Sequence, residues 1–250
     1  MISVSVLGYG NVAWHLVNAF EAAADVNLIQ VYNKRPLLKI DFKAPFITDL
    51  SELAPAQIYI IAIPDDAISP FSEQLNLKDT LVVHTSGSLP MTALNSPSRK
   101  GVFYPLQSFS KNKPVNFSEI PFTIEAENST DLVLLKTLAK CLSPLVYKID
   151  SNQRKQLHLA AVFVNNFVNY MYSIGENLCR SNNIDFNILK PLITETALKI
   201  EKLSPKEAQT GPAVRFDKET IENHLNILPS EYKEIYTLLT NSIQKDVKKL

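Results

Sequence analysis

The chain has 250 residues, which is enough for one full α/β domain and a smaller second one, since domains usually run to about 100–200 residues. Its 25 basic and 25 acidic residues give a formal net charge of zero, so no bulk charge favours nucleic acid or an anionic membrane. The two cysteines, Cys141 and Cys179, lie outside any C-x-x-C spacing, and we therefore expect reduced thiols and no metal site.

The N-terminal residues pass directly from Met1 into a strand pattern, which leaves no room for a secretory signal. No apolar run reaches the roughly 18 residues that a membrane span needs. We expect a cytoplasmic protein with no membrane partner.

The first predicted strand, residues 2–7, ends in a glycine-rich turn that leads into an apolar helix. Gly8 permits the tight turn, Gly10 lets the backbone approach a pyrophosphate, and Ala13 lets the helix pack close to its strand. The helix N terminus presents N–H groups and a positive dipole end to the phosphates. This pattern predicts dinucleotide binding by Gly8, Tyr9, Gly10, Asn11 and Val12, with a purely structural glycine turn as the alternative.

Further strands are predicted in alternation with helices as far as residue 150. They cover residues 28–32, 45–47, 57–63, 80–84, 101–104, 122–125 and 145–149. The continuously apolar strand at 57–63 indicates burial on both faces, as in parallel sheets. We predict a doubly wound, mostly parallel α/β domain over residues 1–150 and, because strand patterns then stop, an all-helical domain over residues 151–250.

The second strand ends in Asn33, Lys34 and Arg35, where an enzyme that prefers NAD normally has an acidic residue for the ribose hydroxyls. An acid would repel a 2′-phosphate, whereas Asn33 can donate a hydrogen bond and Arg35 can form a charge-assisted pair with it. The sequence therefore favours NADP over NAD. The alternative is that Lys34 and Arg35 are ordinary solvated charges.

Three loops follow later strands at the edge where ligands bind in doubly wound sheets. Ile63 and Pro64 are expected to contact the cofactor, while Asp65 or Asp66 caps the next helix. The other two loops, residues 84–88 and 104–109, place Ser86 by the cofactor and substrate and Gln107 by the substrate. The alternative is that these loops are ordinary turns.

A long helix is predicted over residues 153–180. At 100° per residue one polar line contains His158, Asn165, Asn169, Tyr172 and Glu176, opposite an apolar arc wide enough to predict burial over much of the circumference. A solvent-facing polar line is the alternative. In the first turns, His158 could exchange a proton near neutral pH and Asn165 could orient a carbonyl.

These features together resemble a known family, the two-domain proteins with an N-terminal Rossmann domain and a helical part called domain of unknown function 2520. The resemblance covers nearly the whole chain and rests on six segments: residues 8–12, 63–68, 84–88, 105–109, 158–165 and 210–215. The family is similar to the 6-phosphogluconate dehydrogenase-like and pyrroline-5-carboxylate reductase-like proteins. That similarity implies NADP-linked reduction in a cleft between the domains and a homodimer formed through a helical domain like the C-terminal one of 6-phosphogluconate dehydrogenase.

Two departures bear on the chemistry. β-Hydroxyacid dehydrogenases have a lysine one helical turn before an asparagine on the long helix, whereas here Ala161 precedes Asn165 by four residues, so that mechanism does not transfer. Tyr104 stands where the family's proline-leucine-glutamine loop has a histidine, which speaks against a proton relay at that position.

The resulting hypothesis is an NADPH-dependent reductase of a small carbonyl or imine, with His158 as the acid and Asn165 as an orienting amide. Thr210 and Arg215 would close over the cleft, with Arg215 recognising a carboxylate or phosphate; its alternative role is a salt bridge to Asp217 or to a neighbouring helix. The competing hypothesis is a non-catalytic NADP-binding sensor or scaffold protein.

Overall fold

The computed structural model describes residues Met1–Lys248, which form eight strands and nine α-helices. The chain divides into two compact units, Met1–Asn165 and the residues from Asn166 onward. The division falls within the long helical segment, so that its first part belongs to the first unit. The end of the nucleotide-binding domain near residue 150 stays a prediction.

The first unit alternates strands with helices. Its strands are β1 (Ile2–Leu7), β2 (Val26–Tyr32), β3 (Phe46–Ile47), β4 (Ile58–Ile61), β5 (Leu81–His84), β6 (Arg99–Pro105), β7 (Phe122–Ala126) and β8 (Val146–Lys148). Its helices are α1 (Asn11–Ala22), α2 (Asp65–Ser72), α3 (Ser129–Lys140) and α4 (Ser151–Ala161), with short 3₁₀ turns at Leu50–Glu52, Met91–Ala93 and Phe117–Glu119.

All eight strands form one sheet in the order β3-β2-β1-β4-β5-β6-β7-β8. The neighbours are parallel except β6 and β7, which pair antiparallel. The order reverses direction between β1 and β4, and an open sheet binds its ligands at such a switch point. The predicted fold class, a Rossmann-like and mostly parallel sheet with a helical C-terminal region, is confirmed.

The core lies on both faces of the sheet. One cluster packs α1 and α3 against the strands, with Leu16, Phe20 and Leu138 fully buried. The other contains Ile68 of α2 together with Tyr59 and Ile61 of β4. β4 is buried at every position, as its continuous apolar sequence predicts.

The second unit is helical throughout the part that the structure describes. Its helices are α5 (Val168–Ser181), α6 (Lys190–Lys199), α7 (Pro205–Ala208), α8 (Lys218–Ile227) and α9 (Ser230–Val247). Side-chain caps fix several helix ends: Ser204 and Glu207 form a capping box on α7, and Asp217 accepts from Thr220 N at 3.1 Å to begin α8.

The long predicted helix is not α-helical throughout. A π-helical segment, Val162–Phe167, joins α4 to α5, and its i→i+5 bonds reduce the rotation per residue. The polar line drawn at 100° per residue from His158 to Glu176 is therefore wrong, because the helical phase changes before Asn165 is reached.

The burial predicted for the apolar arc of this helix is also wrong for the single chain. Val164 is 74% exposed, Phe163 59% and Phe167 50%, and the remaining members of the arc are only partly buried or exposed. The apolar pattern fits burial within one chain and a helix shared between two subunits equally well, and here it lies on a surface of the single chain.

Candidate functional site

The glycine turn after β1 depends on Gly8 for two reasons. Its φ is +117°, a conformation that L side chains disfavour. A Cβ added at Gly8 would lie 2.4 Å from Ala62 O, at the end of the neighbouring β4. The turn can therefore pack against β4 only with glycine at this position.

Gly10 and the start of α1 fit the approach of an anion. Gly10 is the N-cap of α1, no side chain caps the helix, and its first turn contains no acidic residue. A Cβ added at Gly10 would meet nothing within 4 Å, so that open space adjoins the turn. An uncapped helix N terminus beside open space suits a pyrophosphate, which the N–H groups and the helix dipole would stabilise.

A pocket of about 300 Å³ lies at this edge of the sheet. It extends from the end of β1 across β4 to the end of β5. Its lining comprises Tyr9, Gly10, Asn11, Val12, Asn33, Ala62, Ile63, Pro64 and Thr85. Seven of these are predicted cofactor residues. Ala62 and Thr85 are additions, although Thr85 belongs to the loop 84–88 that the sequence places at this edge.

The loop after β2 holds the predicted 2′-phosphate residues. Asn33 Nδ2 donates to Arg35 O at 2.8 Å, which occupies one of its two amide hydrogens. The side chains of Lys34 and Arg35 are exposed and do not line the pocket. The loop is anchored by Asp41, which accepts hydrogen bonds from the Tyr9 hydroxyl and from Trp14 Nε1.

Lys111 is a cation at the glycine turn that the sequence analysis missed. Its Nζ donates to Tyr9 O at 2.9 Å and lies 4.6 Å from the centroid of the Tyr9 ring. The segment that contains it is anchored to α1, since His15 Nε2 is 2.9 Å from Ser110 O. Lys111 is separated from Tyr9 by 102 residues, so no local spacing reveals the contact.

The loop after β5 is held by internal hydrogen bonds. Ser86 Oγ accepts from Ser88 N at 3.1 Å and from Leu89 N at 3.0 Å, so its hydroxyl shapes the loop. Ser88 Oγ donates to the carboxylate of Asp65. Asp65 thus joins two loops. Because Pro64 occupies the N-cap position of α2, the helix has no side-chain cap, and the capping role predicted for Asp65 or Asp66 is wrong.

His84, at the end of β5, is a buried neutral histidine. Its Nδ1 accepts from Ser86 N at 3.1 Å, so its Nε2 carries the proton and donates to Pro90 O at 3.2 Å. Burial lowers the pKa of His84 to about 4, and the nearby Arg154 guanidinium contributes to that shift. Two hydrogen bonds and a neutral ring make His84 a support for the loop.

Tyr104 and His158 form a hydrogen-bonded pair beside this loop. Tyr104 Oη at the end of β6 lies 3.2 Å from His158 Nδ1 on α4. Gly87 packs directly on the pair, because a Cβ there would be 2.7 Å from both His158 Nδ1 and Tyr104 Cζ. Contrary to the expectation that Tyr104 argues against a proton relay, its hydroxyl binds the predicted acid.

A buried ion pair, with its arginine on the same helix as His158, holds the loop after β5 in place. Arg154, one helical turn before His158, is fully buried, and its Nη1 lies 2.5 Å from Glu125 Oε2. Its Nη2 donates to Leu89 O at 2.6 Å and to Ser151 Oγ at 3.2 Å. Removing one partner would leave a buried charge, so this network holds the loop in one arrangement.

The remaining predicted residues lie elsewhere. Gln107 is exposed and its Oε1 accepts from Ser108 N, while Asn165 is exposed within the π-helical segment. Thr210 and Arg215 are exposed residues of the second unit. Asp217 caps α8 and forms no salt bridge with Arg215, so the alternative role for Arg215 is not observed.

The described residues contain neither a metal-binding cluster nor a membrane-spanning helix. No group of three or more histidine, cysteine, aspartate or glutamate side chains is arranged to hold a metal ion. No helix within Met1–Lys248 has both the length and the apolarity to cross a membrane.

The parallel sheet, the glycine turn at its switch point and the uncapped α1 define a Rossmann-like protein with a helical C-terminal region. The model of the domain of unknown function 2520 matches residues 120–243. The crystal structure of a "putative NADP oxidoreductase" from Bacteroides fragilis is similar to this chain. The two sequences are 39% identical, the TM-score is 0.87, and the match covers 98% of each chain. The chain therefore belongs to the family of that protein, which combines a Rossmann-like domain with domain 2520.

More distant structures share the fold. A Plasmodium falciparum pyrroline carboxylate reductase with NADP bound has a TM-score of 0.60 at 14% identity, over 99% of this chain and 97% of that one. An Aspergillus terreus reductive aminase, in complex with NADPH and ethyl levulinate, has a TM-score of 0.70 at 12% identity, over 100% and 94%. No curated protein sequence matches the chain.

Proposed function

We propose that this protein is an NADP-dependent oxidoreductase that reduces a small carbonyl or imine compound. The observation that carries the proposal is the pocket along the ends of β1, β4 and β5, with an uncapped helix N terminus at one end and open space at Gly10. When bound there, NADPH would supply a hydride. Two structures of the same fold support this assignment, since the pyrroline carboxylate reductase has NADP bound and the reductive aminase is in complex with NADPH.

The preference for NADP rests on the loop after β2. This loop offers Asn33 at the pocket, with Lys34 and Arg35 exposed beside it, and its only carboxylate, Asp41, is engaged by Tyr9 and Trp14. A 2′-phosphate would therefore meet cations and an amide rather than a free carboxylate. Lys111, at the glycine turn, adds a positive charge close to the expected pyrophosphate.

For the chemistry we propose that His158 supplies the proton that accompanies hydride transfer. His158 is half-buried, and within the described residues its Nε2 has no hydrogen-bond partner, which leaves that nitrogen available to water. Five further roles stay predictions, because no contact ties the residues to cofactor or substrate. They are the orienting amide of Asn165, cofactor and substrate binding by Ser86, and substrate binding by Gln107, Thr210 and Arg215.

The experiment is to follow NADPH consumption by absorbance with two probes, 1-pyrroline as an imine and pyruvate as a keto acid. We expect turnover of one of them, and about a 100-fold or greater loss in His158→Gln, within the range for removal of a general acid. Exposed His224, replaced in His224→Gln, is the matched control and should leave the rate unchanged. Unimpaired turnover in His158→Gln would contradict the assignment, and tight NADPH binding without turnover of any carbonyl or imine would favour a non-catalytic sensor.

We also propose that the protein is a homodimer formed through the second unit. Ile188 is 69% exposed and Leu192 62% exposed on neighbouring turns around the start of α6, and a second copy would remove such side chains from water. Sedimentation velocity should show a dimer that Leu192→Ser weakens. Val133→Ser, an equally apolar and 64% exposed position on α3, is the control and should leave the dimer intact. A wild-type monomer at micromolar concentration would contradict the proposal.

A further inference from the structure

The pocket extends along the edge of the sheet in the direction of Tyr104. It begins at the ends of β1 and β4 and reaches Thr85 at the end of β5. The next strand in the sheet is β6, and Tyr104 lies at its end. A dinucleotide whose pyrophosphate binds at the glycine turn, with its adenosine toward β2, extends its other half along these strand ends. Its reactive ring would therefore reach the side of the sheet where Tyr104 lies.

The surroundings of Tyr104 keep its hydroxyl protonated. Burial raises the pKa of the Tyr104 phenol above its ordinary value, the carboxylate of Asp65 adds to this rise, and the Arg154 guanidinium opposes it. Arg154 is itself paired with Glu125, and the titratable His158 lies 3.2 Å from the Tyr104 hydroxyl. Because the phenolate is disfavoured, Tyr104 donates a proton more readily when it receives another one at the same time.

His158 is placed to supply that second proton. Its Nδ1 lies 3.2 Å from Tyr104 Oη, and the two rings meet edge to face with centroids 6.1 Å apart. Tyr104 lies at the end of β6, on the edge of the sheet that the pocket follows, whereas His158 lies on α4 and its Nε2 has no hydrogen-bond partner among the described residues. Gly87 covers the hydrogen bond without a side chain that could compete for it.

We infer that Tyr104 is the catalytic residue that donates the proton to the substrate, and that His158 acts behind it as the link to solvent. This inference rests on the proposed reductase function. It reverses the order in which the two residues would act if His158 met the substrate directly.

Proton transfer from Tyr104 to the substrate is coupled to proton transfer from His158 to Tyr104. The substrate carbon accepts the hydride, and the electron pair of its double bond to oxygen or nitrogen takes the proton of Tyr104 Oη. Oη takes the proton of His158 Nδ1 as its own O–H bond breaks, while Nε2 accepts a proton from solvent. Tyr104 ends as a phenol and His158 as a neutral imidazole with its proton on Nε2, and exchange with water restores the starting tautomer. One hydride and one solvent proton are consumed in each turnover.

The placement can be tested without turnover, with oxidised NADP⁺ as the ligand. In protein with protonated tyrosines in a deuterated background, we expect a nuclear Overhauser effect between the nicotinamide ring protons and one tyrosine ring. Tyr104→Phe should remove it, whereas Tyr147→Phe, at a 52% exposed position on β8, should retain it. A wild type that does not bind NADP⁺ would overturn the proposed function itself. Binding with an effect that survives Tyr104→Phe, or with none, would overturn only the present inference.

The order of the two residues is tested by chemical rescue with whichever probe, 1-pyrroline or pyruvate, the wild type reduces. We expect Tyr104→Phe to lose about 100-fold or more in kcat with unchanged NADPH affinity, within the range for removal of a proton donor. Added imidazole should restore much of the rate of His158→Ala, because it can replace the link to solvent, and should not restore Tyr104→Phe. Full turnover in Tyr104→Phe would overturn the inference.

A third variant separates the hydrogen bond from the two side chains. In Gly87→Ala the new Cβ would lie 2.7 Å from His158 Nδ1 and 2.9 Å from Tyr104 Oη, so it must part them. We expect the imidazole ¹⁵N chemical shifts of His158 to differ from those of the wild type in both Gly87→Ala and Tyr104→Phe. Shifts identical to those of the wild type in both variants would show that the pair does not form and would overturn the relay.

Discussion

The two units of this chain use apolar residues differently. In the first unit the strands and helices bury theirs within the chain, as Val6, Leu16, Phe20 and Ile60 show with no exposure at all. In the second unit, among the described residues, only Cys179 and Ala213 are buried apolar residues, while Ile188, Leu192 and Ile227 are largely exposed.

The difference shows how far the apolar sequence pattern of each unit determines the structure of a single chain. Buried strands and amphipathic helices in the first unit satisfy one another, so their pattern determines a structure within one chain. The helices of the second unit also carry apolar side chains, yet a single chain leaves many of them exposed, among them Leu198 and Leu238. Their apolar pattern predicts helices but does not determine what covers the exposed apolar side chains. We propose that a second copy of the chain covers them.

The largest effect is expected from the core of the first unit. Phe20→Ala removes a fully buried ring from the packing between α1 and the sheet, and such truncations cost about 3–5 kcal/mol. Ile188→Ala, at a 69% exposed position, should change the free energy of unfolding of a dilute single chain by less than about 0.5 kcal/mol. Urea denaturation measures both. A comparable loss in Ile188→Ala would show that the second unit buries this residue within the chain.

The next effect comes from buried His84 and sharpens the account of the first unit. Its pKa is lowered to about 4 in the folded chain, whereas the unfolded chain binds the proton near 6.5. The contribution of His84 to the free energy of unfolding should therefore be fully present above pH 6.5. It should fall by about 3 kcal/mol as the pH drops toward 4, since one pKa unit corresponds to about 1.4 kcal/mol.

Denaturation at several pH values would measure this loss. In His84→Gln the side chain cannot titrate, so the fall attributable to this residue should disappear, although the variant begins less stable. His224→Gln, an exposed position, is the control and should fall with pH as the wild type does. An unchanged acid loss in His84→Gln would contradict the assignment of a neutral buried ring.

The smallest effects separate the two glycines of the turn. Gly8→Ala forces a side chain into φ +117° against Ala62 O, and we expect it to destabilise the fold by about 2 kcal/mol or more. Gly10→Ala has an ordinary backbone and open space, so stability should be retained while NADPH affinity falls about tenfold, or about 1.4 kcal/mol. Undiminished NADPH affinity in Gly10→Ala would show that the cofactor does not approach this turn.

Much of the first unit could be predicted from the sequence because its signals are local. The apolar strands, the glycine turn and the end of β2 at Asn33 each depend on neighbouring residues, and the structure brings Tyr9, Asn33, Ile63 and Pro64 to one pocket. Parallel strands make this possible, because their carboxyl ends meet at one edge.

The features that could not be predicted depend on long separations or on broken periodicity. Lys111 reaches Tyr9 across 102 residues, and Tyr104 reaches His158 across 54, so no spacing reveals either contact. The polar line on the long helix was wrong because a 100° wheel assumes an unbroken α-helix, and the π-helical segment at Val162–Phe167 violates that assumption.

The central claim is that the glycine turn and the loop after β2 bind NADPH, and parallel titrations with NADPH and NADH test it most directly. Nicotinamide fluorescence would be followed for the wild type and for Arg35→Ala. We predict that NADPH binds more tightly than NADH and that Arg35→Ala weakens NADPH alone, by about tenfold, as expected for one charge-assisted contact. Binding of neither nucleotide by the wild type would contradict the account and leave the glycine turn a structural feature of the sheet.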